Sequence, residues 1–481
     1  MNASTIYIEG TWREAAEGGT IPVVNPSTGE VFAHISRGTA REVNDAVIAA
    51  RRAFRSTWSR VSPAERGRIL TRLGNLITAH HEELSLLECR DVGKPLTQAR
   101  RDISALARYC EFYGGAADKV HGEVLPYEQG YTVLSLREPF GVTAHLIPWN
   151  YPAQMFGRSV IGSLAAGNAV VVKPGSDACQ SILGVLNLTA EAGLPPGVLN
   201  VVTGYGGEAG VKLAGHPDID HISFTGSPET GTIVQQAAAV YNRPSTMELG
   251  GKSPQIVFAD ADLELALPSL YGAAIQNAGQ TCSAGSRILI EASRFDEVVG
   301  RLGERFTKTR VGPAEEDPDC GPLISADQVE RVNGFVERAD AQKLPLAGRA
   351  AEPVLKANAK GGFYLSPRVY GPVSFDVELS CAEIFGPVLV CTPFKDEAEA
   401  VRIANATDYG LVSGVWTSDG GRQLRMARAL DSGQVFVNCY GAGGGVELPF
   451  GGVKRSGYGR EKGMEGILSF TRVKMVALRH G

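Results

Sequence analysis

From Gly141 onward the chain alternates short apolar runs with helical stretches, and no other feature restricts its fold as strongly. Val142-Thr143-Ala144-His145-Leu146-Ile147 is followed by a helical pattern through 159–164, then by Ala169-Val170-Val171-Val172, then by runs at 198–202 and 221–224 with helices between them. Strands separated by helices in this way predict a parallel, doubly wound sheet covered on both faces. A second alternation of the same kind starts near Ser253-Pro254-Gln255-Ile256-Val257-Phe258 and runs to about Asn438. Upstream, residues 42–118 read as successive amphipathic helices, with Val43, Val47, Ala50 and Phe54, and later Leu70, Leu73, Leu76 and Ile77, at helical spacing. Residues 120–136, broken by Gly122 and Gly130, predict a β-hairpin with Thr132-Val133-Leu134-Ser135-Leu136 as one strand. Residues 467–478 read as an isolated strand, which either adds to another sheet or stays a simple edge.

A chain of 481 residues exceeds what one hydrophobic core sustains, so two or three domains are expected. With 43% hydrophobic and 21% charged residues, it falls outside the disordered, collagen-like and coiled-coil classes. A net charge of -5 without a basic block offers no footprint for nucleic acid or an anionic membrane, which leaves small molecules as the expected partners. Apolar stretches stop well short of the ~20 residues a spanning helix needs. The eight cysteines include no CxxC pair and none has a histidine at zinc-finger spacing, so no metal is expected. No signal-like segment opens the sequence, which makes a reducing cytoplasm the default compartment.

Doubly wound sheets bind ligands beyond the carboxyl ends of their strands, and five such places carry unusual residues. Pro148-Trp149-Asn150-Tyr151-Pro152 puts an amide on a rigid turn, either as an oxyanion donor or simply as a turn former. Lys173-Pro174-Gly175-Ser176 places a cation past a buried strand, for a ribose or phosphate or merely reaching solvent. Gly204-Tyr205-Gly206-Gly207-Glu208-Ala209 formally fits G-x-G-x-x-G/A, a weak signal in a chain with 58 glycines. Phe224-Thr225-Gly226-Ser227-Pro228 reads as a strand, a turn and a capped helix start, suited to a pyrophosphate or just well capped. Finally, Met247-Glu248-Leu249-Gly250-Gly251-Lys252 precedes Gly279-Gln280-Thr281-Cys282-Ser283. An ordinary cysteine is a small buried hydrophobe, but the polar, glycine-rich flanks of Cys282 suit an accessible thiol with backbone N–H groups nearby.

Taken in order, these motifs together with Glu383-Ile384-Phe385-Gly386-Pro387 and Pro449-Phe450-Gly451-Gly452 resemble the aldehyde dehydrogenase superfamily, of the non-acylating, hydrolytic kind. The resemblance spans nearly the whole chain. It implies that Cys282 attacks the aldehyde carbon and that the Asn150 amide and the Cys282 N–H hold the oxyanion. Hydride then passes to a nicotinamide, leaving a thioester that Glu248-activated water hydrolyses. For the cofactor, NAD(P), it implies Ile147, Pro148 and Trp149 along the first turn, Lys173 and Ser176 at the adenosine ribose, Gly206 beside the adenine, Gly226 and Ser227 at the pyrophosphate, and Leu249, Glu383 and Phe385 toward the nicotinamide.

One departure bears on cofactor choice: NAD-preferring members commonly carry a glutamate where this chain has Ser176, so a 2′-phosphate meets no repelling carboxylate and both NAD and NADP are expected. For the substrate, the resemblance points to Tyr151, Arg158, Gln276 and Thr281. Arginine at 158 matches succinic-semialdehyde dehydrogenases, favouring a semialdehyde acid or other polar tail, but their second arginine is here Gln276, and an ion-pair role for Arg158 remains an alternative. Rival readings are a CoA-acylating enzyme, which Glu248 argues against, a cysteine esterase, which lacks a histidine partner in the motifs, and a non-catalytic use of the fold. The expected architecture is α/β. A discontinuous cofactor domain (1–119 and 139–252) and a catalytic domain (253–448), each a doubly wound parallel sheet, are joined by bridging strands (120–138 and 466–481) that make a homodimer or homotetramer.

Overall fold

The computed structural model describes residues 4–441 and 445–481. Its eight-stranded sheet runs in the order Thr11–Arg13, Ile6–Ile8, Leu199–Val201, Ala169–Lys173, Val142–Leu146, His221–Thr225, Ser245–Glu248, Gly457–Tyr458. The five central strands are parallel. Numbered along the chain they stand 3-2-1-4-5, so the winding reverses between Val142–Leu146 and His221–Thr225, and a ligand crevice opens at such a reversal. Val142–Leu146 and Ala169–Lys173 are buried at every position. The reason is that helices cover both faces: Val170 and Val172 pack with Leu70, Leu73, Ile103 and Leu106, while Val171 packs on the other side with Val43, Val47 and Ala50.

The helical layer expected at 42–118 is present as Ala40–Ser56, Pro63–Ala79, His81–Val92 and Leu96–Ala116. Thr39 and Glu42 form a reciprocal cap for the first, and Ser62 with Pro63 starts the second. The strands Ile6–Ile8 and Thr11–Arg13 and the hairpin Thr20–Asn25/Glu30–Ser36 went unread in the sequence. The three-residue strands are too short to show a period, and the hairpin is exposed along much of one strand.

A second, seven-stranded sheet runs Leu346–Arg349, Arg368–Tyr370, Val388–Phe394, Arg287–Glu291, Pro254–Val257, Val412–Trp416, Gln434–Val437, parallel except at Leu346–Arg349. The hairpin Glu123–Leu125/Tyr131–Pro139 forms a third sheet with Thr471–Arg479, which pairs antiparallel with Tyr131–Pro139 along its full length. The stretch expected as one isolated strand is therefore divided. Gly463–Leu468 is a helix that buries Ile467 and, just past its end, Phe470, and the strand begins only at Thr471. No helix among the described residues is long and apolar enough to cross a membrane.

Candidate active site

The turn after Val142–Leu146 is tied to the Cys282 loop from both of its polar ends. Asn150 is 5% exposed; its Nδ2 donates to the Gln280 carbonyl (3.0 Å), and its own carbonyl accepts from Asn277 Nδ2 (3.0 Å). The loop itself leaves the helix Leu263–Ile275 through three consecutive left-handed residues, Asn277, Ala278 and Gly279, with φ of 49°, 53° and 74°. Two of these carry side chains, so the conformation is strained and needs support. Gln98 Oε1 accepts the Asn277 N–H (2.9 Å), Gln280 Nε2 donates to the Asn277 carbonyl (3.1 Å), and Gln280 Oε1 accepts from the Ile324 N–H (2.9 Å). Cys282 then packs against the buried cluster of Leu411, Val412 and Phe450, which Phe436 and Tyr440 also flank, while the Tyr440 hydroxyl donates to the Ser283 carbonyl (2.6 Å). Burial pushes the thiol up to about 12, with Arg158 opposing and Glu383 and Glu248 adding to the rise.

Glu248 ends the strand Ser245–Glu248 and is 2% exposed, yet neither carboxylate oxygen has a hydrogen-bond partner. Two glycines set its surroundings. A Cβ on Gly251 would come within 2.5 Å of the Cys282 carbonyl, and one on Gly451 would lie 2.8 Å from Glu248 Oε1, so the glutamate segment and the cysteine loop approach as only glycine allows. Burial raises the Glu248 carboxyl well above its ordinary value; Glu461 adds to the rise, and Arg158 and Arg460 act against it.

Arg158, 4% exposed, reaches Glu461 Oε2 through Nε (2.7 Å), stands 3.8 Å from Glu248 Oε2 through Nη2, and lies 4.2 Å from the Phe450 ring centroid. It is carried by a π-helical turn, Phe156–Ile161, in the helical segment that opens at Pro152, and such turns re-aim side chains near functional sites. The guanidinium is thus bonded to Glu461 and turned toward Glu248, two carboxylates of its own chain. Tyr151, Gln276 and Thr281 do come together: the Tyr151 hydroxyl is 2.9 Å from Thr281 Oγ1 and accepts from Gln276 Nε2 (2.8 Å). Beneath them the Lys94 ammonium lies 3.9 Å from the Tyr151 ring centroid, buried with Glu88 and Asp102.

The residues expected to hold a dinucleotide line the carboxyl ends of the first sheet. The Ile147 N–H donates to the Lys173 carbonyl (3.0 Å), and Gly210 approaches Leu146 and Lys173. Lys173 is 7% exposed and burial lowers its ammonium to about 8, with Asp177 acting against the drop; Ser176 follows on the half-buried turn. Gly206 opens the helical segment Gly206–Gly210, with open space where a side chain would stand. Ser227 caps the helix Pro228–Ala239 and accepts from the Thr230 N–H (3.2 Å), while a Cβ on Gly226 would strike the Phe224 ring. Leu249 is buried against Gly231, and Glu383 Oε1 accepts the Gly251 N–H (3.0 Å), its carboxyl pushed up to about 7 by burial. Phe385, a non-glycine residue at φ 60°, meets Trp149 edge-on at 5.6 Å, next to Pro148. The described residues contain no cluster of metal-ligating side chains.

Four contributors escaped the sequence reading. Glu461 stands in Arg460-Glu461-Lys462, which reads as a solvated charge run, and Asn277 and Tyr440 carry no pattern of their own. Phe450 belonged to a motif without an assigned task.

With this geometry in place, the aldehyde dehydrogenase family matches residues 12–476, and the chain belongs to that family. Its members oxidise aldehydes with NAD(P)+. A crystal structure of a Burkholderia cenocepacia protein classed with the aldehyde dehydrogenases superimposes with a TM-score of 0.98 at 58% identity, covering 99% of this chain and 100% of that one. The NAD+ complex of the Bacillus cereus aldehyde dehydrogenase gives a TM-score of 0.96 at 36% identity, covering 100% and 97%. The mitochondrial benzaldehyde dehydrogenase of Antirrhinum majus is 41% identical over 475 residues, 98% of this chain and 88% of that protein.

Proposed function

We propose that the chain oxidises an apolar or aromatic aldehyde to its carboxylic acid, with Cys282 as nucleophile, Asn150 and the Cys282 N–H as oxyanion donors, and Glu248 as the base for hydrolysis. The observation that carries this reading is a buried Glu248 carboxylate without a hydrogen bond, on a segment that Gly251 lets approach the Cys282 loop. A structural carboxylate that deep would be hydrogen-bonded; an orphan whose pKa burial raises suits a group that accepts a proton. It also favours water over CoA as the acceptor of the acyl group.

The fit for a nicotinamide dinucleotide rests on the space above Gly206, the buried Lys173 and the capped helix start at Ser227. Ile147, Pro148, Trp149, Ser176, Gly226, Leu249, Glu383 and Phe385 complete the cradle. When bound there, the cofactor supplies a two-electron acceptor. Asn150 is suited to its task because one amide N–H is spent on Gln280, which fixes the side chain and leaves the other free for an oxyanion. With no glutamate at 176, both NAD and NADP serve.

Arg158 is bonded to Glu461 and its remaining donor faces Glu248, so a carboxylated tail would have to compete with two carboxylates of the chain for it, and the semialdehyde-acid reading loses its main support. The cluster of Leu411, Val412 and Phe450 that Cys282 packs against, flanked by Phe436 and Tyr440, offers an apolar body instead, a preference in keeping with the benzaldehyde-named relative. Tyr151, Gln276 and Thr281 contribute the polar wall. We further propose the division into cofactor domain (1–119, 139–252), catalytic domain (253–448) and bridging strands. The free outer edge of Thr471–Arg479, with Val473, Met475 and Leu478 exposed, suits pairing with another copy in a homodimer or homotetramer. Eight free cysteines are in keeping with a cytoplasmic location.

The test is an aldehyde panel containing benzaldehyde, hexanal and succinic semialdehyde, followed by NADH and NADPH formation. Benzaldehyde should have the highest kcat/KM, both cofactors should be reduced, and Cys282→Ala should abolish turnover. A preference for succinic semialdehyde would overturn the substrate assignment, and the absence of NADPH formation would overturn the cofactor one.

A further inference from the structure

Arg158 sits where four segments meet, and its contacts are unequal. Nε bonds Glu461 at 2.7 Å, whereas Nη2, buried and without a hydrogen bond, stops 3.8 Å short of Glu248, whose oxygens are also unbonded. Glu461 cannot follow a moving partner. Its backbone pairs in both directions with Phe450 (2.7 and 2.8 Å), and its Oε1 accepts from Ser223 Oγ (3.1 Å). The Phe450 ring supports the guanidinium from one side. A fixed donor therefore faces a free acceptor across a gap that a small rotation of Glu248 closes. Two carboxylates share one cation, so the trio is neutral only when one of them carries a proton.

We propose that Arg158 is a positioning residue for the hydrolytic step: its Nη2 steadies the Glu248 carboxylate, while Glu461 draws off enough of its charge that Glu248 still takes a proton from water. The inference rests on the assignment of Cys282 and Glu248 made above. In that step the water oxygen bonds to the acyl carbon and gives one proton to Glu248. The carbon–sulfur bond breaks with its electron pair on Cys282 Sγ, and the acid leaves. Removing Arg158 would leave Glu248 facing Glu461 with only Arg460 in opposition, which favours the protonated, useless form. Removing the Glu461 charge would give Arg158 wholly to Glu248 and favour the carboxylate to lower pH. Tyr109, Tyr113, Lys462 and Cys282 also face the Arg158–Glu461 pair, and none of them is altered in either change. The two substitutions therefore act in opposite directions, which a purely structural ion pair would not do.

The experiment uses the full chain without cofactor and 4-nitrophenyl acetate as probe, since acylation of Cys282 then reports the nucleophile and the steady-state rate reports hydrolysis. Arg158→Met, Arg158→Lys, Glu461→Gln and Cys282→Ala are compared with the unmodified protein from roughly pH 5 to 10. For Arg158→Met the acidic limb of the steady-state rate should move up by at least about one pH unit, about a tenfold loss below the limb, with a full nitrophenol burst retained. Arg158→Lys should bring the limb most of the way back to its unmodified position, and Glu461→Gln should move the limb down. An unmoved limb in Arg158→Met, or an upward move in Glu461→Gln, overturns the proposal. Glu461→Gln decides alone if Arg158→Met does not fold. Nitrophenol release by Cys282→Ala at the unmodified rate would instead overturn the assignment of the nucleophile.

Discussion

Around Cys282 the loop is tied at each turn: Asn150 to Gln280 and Asn277, Gln98 to Asn277, Gln280 to Ile324, Tyr440 to Ser283. Around Glu248, a short distance across Gly251, the carboxylate is bonded to nothing and the nearest guanidinium donor is spare. The contrast matches the tasks proposed above for the two sides. A nucleophile and its oxyanion donor must be placed to within a fraction of an ångström, and a strained left-handed run is worth supporting for that end. A base has to change its protonation state, and hydrogen bonds that fixed one state would cost it the other.

The largest expected break in this comparison is Glu248→Gln, which keeps the shape but cannot accept a proton. Its kcat should fall by about 10²–10⁴, with the first-turnover burst intact. Loss of the burst as well would place Glu248 in the attack step. On the anchored side, Asn150→Ala should lower kcat by about 10²–10³ and diminish the burst rate in proportion. A smaller effect sharpens the difference in titration. With the thiol pushed up to about 12 by burial, little thiolate exists at neutral pH, so alkylation of Cys282 by iodoacetamide should quicken about tenfold per pH unit and show no plateau below about pH 10.

The smallest effect concerns an orphan group outside the pocket. His221, stacked on Phe140 and met edge-on by Phe470, with its Nδ1 unpartnered, is held down to about 3 by burial, and the neighbouring His145 is likewise lowered. A depressed histidine lends stability that is complete above the ordinary imidazole pKa of about 6.5 and is lost as pH falls through the window toward 3. His221→Phe should therefore move the acid-unfolding midpoint down by a few tenths of a pH unit while leaving kcat unchanged. A fall in kcat would link this orphan to the pocket.

Asn150, Glu248 and Cys282 stood out as candidates in the sequence because each sits beside glycine or proline in a pattern that ordinary packing does not require. The two central sheets were legible because their strands, buried on both faces, read as unbroken Val and Ile runs. What stayed hidden has no local period. Arg158 and Glu461 are about 300 residues apart, in a ratio of contact to separation that no motif encodes, and nothing in Arg460-Glu461-Lys462 shows that its middle residue is 1% exposed. The π-helical turn that aims Arg158 is equally silent. The helix Gly463–Leu468 was misread because Ile467 and Phe470, three apart, fit the start of a strand as well as the end of a helix.

Residues 457–479 supply both the edge strand Gly457–Tyr458, beside Glu248, and the strand that completes the sheet begun at Glu123. During synthesis, the earlier strands must therefore wait for residues 457–479 to be translated before these edges close. A ribosome-bound intermediate stalled before residue 457 would show an open sheet edge at Ser245–Glu248 and an unclosed Tyr131–Pro139, surfaces that invite chaperones or unwanted pairing. The Glu248 side of the candidate site thus becomes enclosed only long after Glu248 itself has been made.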